Sequence, residues 1–202
     1  MGAATAGGRR GERLVLDTSV LVPRDLRRLL LTLADLGAFT PVISPGIVGE
    51  WRHRTCLDGA AALAEMEAVH ARLLARWPGA EIMPREEDLR VLSLPDPADV
   101  HVLAAALAAG AAGILTANLR DFPTRTLARH GLLRHAPDPW LASVLAEDPA
   151  RMAAALDAVF ALRGAALPAR LRRLGLRRLA RALQTGGGAG SGNEGSAQKS
   201  RQ

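Results

Sequence analysis

The chain predicts an α/β fold with a mainly parallel central sheet, followed by a C-terminal helical extension. Three observations carry that expectation. Short apolar runs alternate with segments of helical period, the pattern of strands joined by crossover helices. Carboxylates recur where those runs end and helices begin, and chemistry collects there in open parallel sheets. From about Asp138 onward, only helical patterns remain.

Taken in order, Arg13–Leu16 is a short apolar run that ends at Asp17, read as a buried strand. Val20–Leu36 carries Leu26, Leu29, Leu30, Leu33 and Leu36 at helical spacing, with Gly37 as a stop. Pro41–Ser44 reads as a second strand. Ser44 before Pro45 starts a helix, since proline is preorganised at the first helical position. That helix carries Glu50, Trp51, Arg52 and Arg54. A further helix covers Ala60–Trp77 and stops at Pro78-Gly79, and Glu81–Met83 is a weak third strand.

Pro97–Ala109 is a strong helical pattern with Gly110 as its cap. Gly113–Thr116 is a fourth strand, Asn118–Pro123 a loop and Leu132–His135 a fifth strand. Prolines then open three helices, Pro139–Ala146, Pro149–Leu162 and Pro168–Leu183. The implied organisation is a disordered stretch at 1–11, an α/β domain at 12–137, a helical extension at 138–184 and a disordered tail at 185–202.

With 202 residues, 49% of them apolar, the chain can bury a sizeable core, which excludes wholesale disorder. The formal charge of +6 is unevenly spread: residues 1–161 carry −2 and residues 162–202 carry +8. Such asymmetry suggests a C-terminal segment that meets a polyanion. A single cysteine, Cys56, excludes a disulfide framework and any multi-cysteine zinc site, and fits a reducing cytoplasm. The uncharged run Val100–Leu119 has the length of a membrane span. His101, Gly110, Gly113 and Asn118 within it favour a helix, a turn and a buried strand instead.

Five carboxylates fall at predicted strand ends and helix starts: Asp17, Glu50, Asp96, Asp99 and Asp121. At one sheet edge they would converge, and clustered carboxylates cannot all ionise unless a cation compensates them. Oxygen ligands favour magnesium or manganese over zinc or copper. Such a cation acidifies a bound water and steadies a phosphate in transfer, so the pattern points to phosphodiester hydrolysis. Each acid also has a simpler reading. Asp96 and Asp99 suit a capped helix start, Asp17-Thr18 a turn, Glu50 a solvated helix face and Asp121 a loop. The joint arrangement favours the site.

These segments resemble those of PIN-domain ribonucleases. The resemblance runs from Arg13 to about Pro137. It rests on Leu14-Val15-Leu16-Asp17-Thr18-Ser19, Ser44-Pro45-Gly46-Ile47-Val48-Gly49-Glu50, Asp96-Pro97-Ala98-Asp99-Val100-His101 and Thr116-Ala117-Asn118-Leu119-Arg120-Asp121-Phe122-Pro123. The last two are closest to the VapC-like toxin branch, whose PIN domain is followed by helices.

The resemblance implies a PIN-like three-layer fold and a Mg²⁺- or Mn²⁺-dependent endoribonuclease. It also implies a homodimer, neutralised by a small antitoxin protein. Asp17, Glu50, Asp99 and Asp121 match the metal-binding acids, with Asp96 as a supporting acid. Ser19 and Asn118 fall at positions that hold carboxylates or water. Position 117 is Ala where related chains carry a larger residue, and the stretch around Arg163–Leu167 is short for the branch.

Arg52, Arg54, Arg173 and Arg177 are candidate RNA contacts, against the alternative of solvated helix faces. Arg24, Arg27 and Arg28 share that ambiguity. Trp51 is read as core rather than as a base-stacking platform, and His53 and His101 as surface rather than phosphate-binding. Competing functions are a non-catalytic RNA-binding module of the same fold and a structure-specific DNA nuclease. The DNA enzyme would need a helical arch for which the chain has no room. A haloacid-type phosphatase needs a second Asp where Ser19 stands.

Overall fold

The computed structural model describes residues 11–162 and 164–186. Four strands, β1 (Arg13–Leu16), β2 (Thr40–Val42), β3 (Gly113–Leu115) and β4 (Leu133–His135), form one all-parallel sheet in the order β2-β1-β3-β4. The helices are α1 (Thr18–Leu21), α2 (Arg24–Asp35), α3 (Pro45–Cys56), α4 (Ala60–Arg76), α5 (Glu86–Val91), α6 (Val100–Ala108), α7 (Thr124–Arg129), α8 (Pro137–Glu147), α9 (Pro149–Phe160), α10 (Ala166–Arg173) and α11 (Arg177–Gly186).

The chain steps from β1 to β2 in one direction and from β2 across to β3 in the other. Right-handed crossovers therefore place the intervening helices on opposite faces of the sheet. Leu14, Val15, Leu16, Ile114 and Leu115 are fully buried between them, as strands covered on both faces require. The crossover pattern turns the C-terminal ends of β1 and β3 toward one edge, where Asp17 and Thr116 follow directly.

The α/β expectation holds, and local chemistry explains the differences. The helix expected over Val20–Leu36 is two helices. Pro23 takes an extended conformation and separates α1 from α2, and α1 begins early because the Asp17 side chain caps it. Ser44 belongs to no strand; its side chain caps α3. The expected strand Glu81–Met83 shrinks to one parallel bridge between Ile43 and Glu81. Pro84, which cannot donate to a ladder, follows at once. Pro97–Asp99 forms a 3₁₀ turn before α6. Short α5 and α7 had no clear sequence signal.

The helix expected over Pro168–Leu183 is broken at Gly175, whose φ of +80° lies in the left-handed region that favours glycine. Helix α11 continues to Gly186, so the first two residues of the expected tail are helical. The disorder expected at 1–10 and 187–202 lies outside the described residues. Among the described residues, no helix is long and apolar enough to cross a membrane.

Helix α9 packs on α2, α8 packs on α9 and α11, and α10 packs on α11. Leu171, Leu176 and Leu179 belong to the same buried cluster as the strands. The C-terminal helices thus share the core of the α/β layer. Asp138 fastens the last one: its carboxylate accepts from the Arg178 and Leu179 backbone N–H groups at 2.8 and 3.0 Å, capping α11 from α8. Asp138→Ala should cost about 1 kcal/mol, in the range of lost helix caps. Chemical denaturation measures that loss, and hydrogen exchange should quicken first in α11.

Candidate active site

Asp17 ends β1 in an extended conformation and is nearly buried, at 4% exposure. Its Oδ2 accepts from the Ser19 backbone N–H at 3.3 Å, the Ser19 hydroxyl at 2.5 Å and the Thr116 hydroxyl at 2.7 Å. Ser19 Oγ in turn accepts from the Ala117 N–H, and Thr116 Oγ1 from the Asn118 N–H, each at 2.9 Å. One oxygen of Asp17 is therefore fixed from both strand ends. The other, Oδ1, has no hydrogen-bond partner among the described residues.

Glu50 sits on α3, which Ser44 and Pro45 start in the expected way. Its Oε2 accepts from the Thr18 hydroxyl at 2.7 Å, and its Oε1 lies 3.1 Å from His101 Nε2 on α6. The imidazole packs against Gly46, where a Cβ would lie 2.7 Å from His101 Nδ1. Glycine at 46 thus lets His101 reach Glu50.

Asp96 caps its own turn, accepting from the Ala98 N–H at 2.9 Å. Asp99, three residues on, makes no cap bond. Its Oδ2 accepts from the Asn118 side-chain amide at 3.3 Å. Asp121 lies in the loop after β3. Arg134 on β4 secures that loop, its Nη1 donating to the Leu119 and Phe122 carbonyls at 2.7 and 3.1 Å. Asp96, Asp99 and Asp121 each offer a carboxylate oxygen, and these oxygens all lie within 4.8 Å of one another.

The electrostatics agree with the geometry. Burial, followed by the charges of Asp17, Asp96, Glu50 and Asp121, pushes the Asp99 carboxyl up to about 6. The other four predicted acids therefore all act on Asp99. The tightest trio among the described residues contains Asp96, which the sequence placed in support, while Glu50 has both oxygens engaged by protein donors. An all-oxygen cluster of this charge fits a hard divalent cation. Asp96, Asp99 and Asp121 would hold it, and the charge of Asp17 acts on Asp99 within the same group.

Sequence reasoning missed Thr116 and undervalued His101. Thr116 had a usable signal, because it follows β3 as Asp17 follows β1. Trp51 is fully buried and packs under the Arg27 guanidinium, as core. Arg27 is itself buried, donating to the Leu21 and Val22 carbonyls and to Glu65, so it cannot rim an RNA groove. Arg52 is exposed and paired with Glu67 at 3.4 Å, while Arg54, Arg173 and Arg177 are exposed.

The raised Asp99 group has a thermodynamic consequence. Its folded pKa, about 6, exceeds the ordinary 3.8, so the folded state binds protons more readily. Without added metal, stability should rise as pH falls from 7 towards 4, over the interval between those two values. Asp99→Asn should melt higher than the parent at pH 7 and lose most of this dependence. Thermal melts across that range, in EDTA, provide the check.

The family comparison agrees with this architecture. The PIN domain family model matches residues 13–120. That span contains Asp17, Ser19, Glu50, Asp96, Asp99 and Asn118 and stops one residue short of Asp121. No curated protein and no solved structure matches the chain. The match covers more than half of the sequence and all the strands that position the acids except β4, and on it the chain belongs to the PIN domain family.

Proposed function

We propose that the protein is a metal-dependent endoribonuclease that hydrolyses RNA phosphodiester bonds. The observation that carries this reading is the convergence of carboxylates on Asp99 at the sheet edge. PIN domains are generally metal-dependent nucleases, which supports it. A Mg²⁺ or Mn²⁺ ion bound there would acidify water and offset the charge of the scissile phosphate.

The chain's own residues supply placement. Asp99 and Asp121 would hold the cation with Asp96, and Asn118 orients the Asp99 carboxylate. Ser19 and Thr116 fix one oxygen of Asp17 and leave the other without a protein partner among the described residues. His101 and Thr18 hold Glu50, whose charge acts on Asp99. Water adds to phosphorus and the bond to the 3′ oxygen breaks, leaving a 5′-phosphate and a 3′-hydroxyl. No 2′-hydroxyl attack is required.

The VapC-like resemblance of the third and fourth acidic segments supports a toxin in a toxin–antitoxin pair, acting in the cytoplasm and neutralised by a small antitoxin protein. We also propose a homodimer: Leu57, Met83 and Val91 are apolar side chains exposed on the monomer surface, and pairing would cover such surface. Arg52, Arg54, Arg173 and Arg177 are the proposed phosphate contacts.

Asp99→Asn and Asp17→Asn should each lower RNA cleavage in Mn²⁺ by at least about 10- to 100-fold while circular dichroism stays native. Wild-type turnover in either folded variant contradicts the assignment. Because α10 and α11 share the core, truncating them does not test the arginines. The double change Arg173→Gln with Arg177→Gln should weaken RNA binding. It should also flatten the slope of log affinity against log salt by roughly 1.4, the amount for two lost single-strand phosphate contacts. An unchanged slope means that these arginines do not touch RNA.

A further inference from the structure

Beside the loop that carries Asp121 lies a cavity of about 310 Å³, lined by Leu119, Arg134, His135, Ala136, Pro139 and Trp140. That volume lies at the lower end of the range for small-ligand pockets. Its walls are largely apolar. Of its lining, Leu119 has 39% of its surface exposed, while Trp140 and His135 are buried. Arg134 is the one cation in the lining.

The bonding of Arg134 is unequal around its guanidinium. Nη1 is committed to the Leu119 and Phe122 carbonyls, which sit on either side of Asp121. Nε and Nη2 have no partner among the described residues, and neither belongs to the buried, unsatisfied nitrogens. They form the side edge of the guanidinium, two parallel N–H donors in a fixed plane. The carbonyl bonds hold that plane still, so little entropy is lost when the free edge is used.

We infer that this cavity is a nucleobase subsite next to the scissile phosphate, and that it prefers guanine. The inference rests on RNA being the substrate. A planar base fits between the apolar walls. A fork of two parallel donors matches two acceptors on one edge, which guanine presents at O6 and N7; adenine offers one acceptor and one donor there. Single-stranded RNA exposes this edge when its bases are unstacked. Arg134 then ties recognition to the site, since the group that reads the base also holds the Asp121 loop.

The test uses fluorescein-labelled RNA decamers of uridine, with or without one central guanosine. Anisotropy is read on the full-length protein in EDTA, so that binding is measured apart from cleavage. The guanosine decamer should bind about five-fold or more tightly than all-uridine, the lower limit for a bidentate base contact. Replacing guanine by 7-deazaguanine, which lacks the N7 acceptor, should remove most of that difference. Ala136→Leu, which fills the cavity and leaves Arg134 in place, should abolish it with no change in melting temperature. Leu119→Ala, at an exposed position, should reduce it as well.

Equal binding of the two decamers by the wild type overturns the inference. So does a preference that survives both cavity variants. Cleavage of the same decamers in Mn²⁺ is scored separately. A guanine preference without cleavage removes the nuclease reading and leaves the subsite standing. Cleavage without preference does the reverse.

Discussion

Mutual repulsion among carboxylates is the constraint on which the rest of this site depends. Five acids drawn from four separate segments meet at one edge of a parallel sheet, and Asp99 shows the cost in its raised pKa. The fold tolerates this because donors are built in around the cluster. Thr116 and Ser19 hold one oxygen of Asp17, Thr18 and His101 engage Glu50, and Asn118 engages Asp99. These donors are hydroxyls, an amide and an imidazole rather than lysines or arginines. The negative charge is therefore positioned and left largely uncompensated, as a cation site requires. A cluster built only for stability would place basic partners there.

The same donors separate this site from a related carboxylate chemistry. A haloacid-type phosphatase would place a second acid two residues after Asp17. Ser19 stands there and donates to Asp17 instead. The position that would carry a catalytic acid in one mechanism orients the existing acid in this one.

The strand ends were legible in the sequence because each of the acidic segments joins an apolar run or a proline-started helix to a polar residue. Asp17 after Leu14-Val15-Leu16, and Asp96-Pro97 before an alanine-rich helix, are local patterns, and local patterns survive into the fold. What the sequence hid depended on distance. The place of Thr116 after a strand hints at the sheet edge, but not at a hydrogen bond to Asp17, 99 residues away in the chain, and nothing local says that Gly46 must lack a side chain to admit His101. Arg134 carried no signal of its own beyond the strand Leu132–His135, and only the pairing of β4 with β3 brings it to the Asp121 loop. The break at Gly175 was visible as a glycine, yet the leucine period on both sides of it masked the turn. The shared core of the C-terminal helices was likewise invisible, because composition alone cannot say which apolar face meets which.

The central claim is that these acids hold a divalent cation at the sheet edge. Crystals grown with Mn²⁺ test it most directly, through anomalous scattering at the manganese edge. The account predicts a peak within coordination distance of Asp99 and Asp121, with Asp96 or the free oxygen of Asp17 completing the protein ligands, and loss of that peak in Asp99→Asn. A fully occupied peak elsewhere on the protein, or none at this edge at millimolar Mn²⁺ and neutral pH, contradicts it.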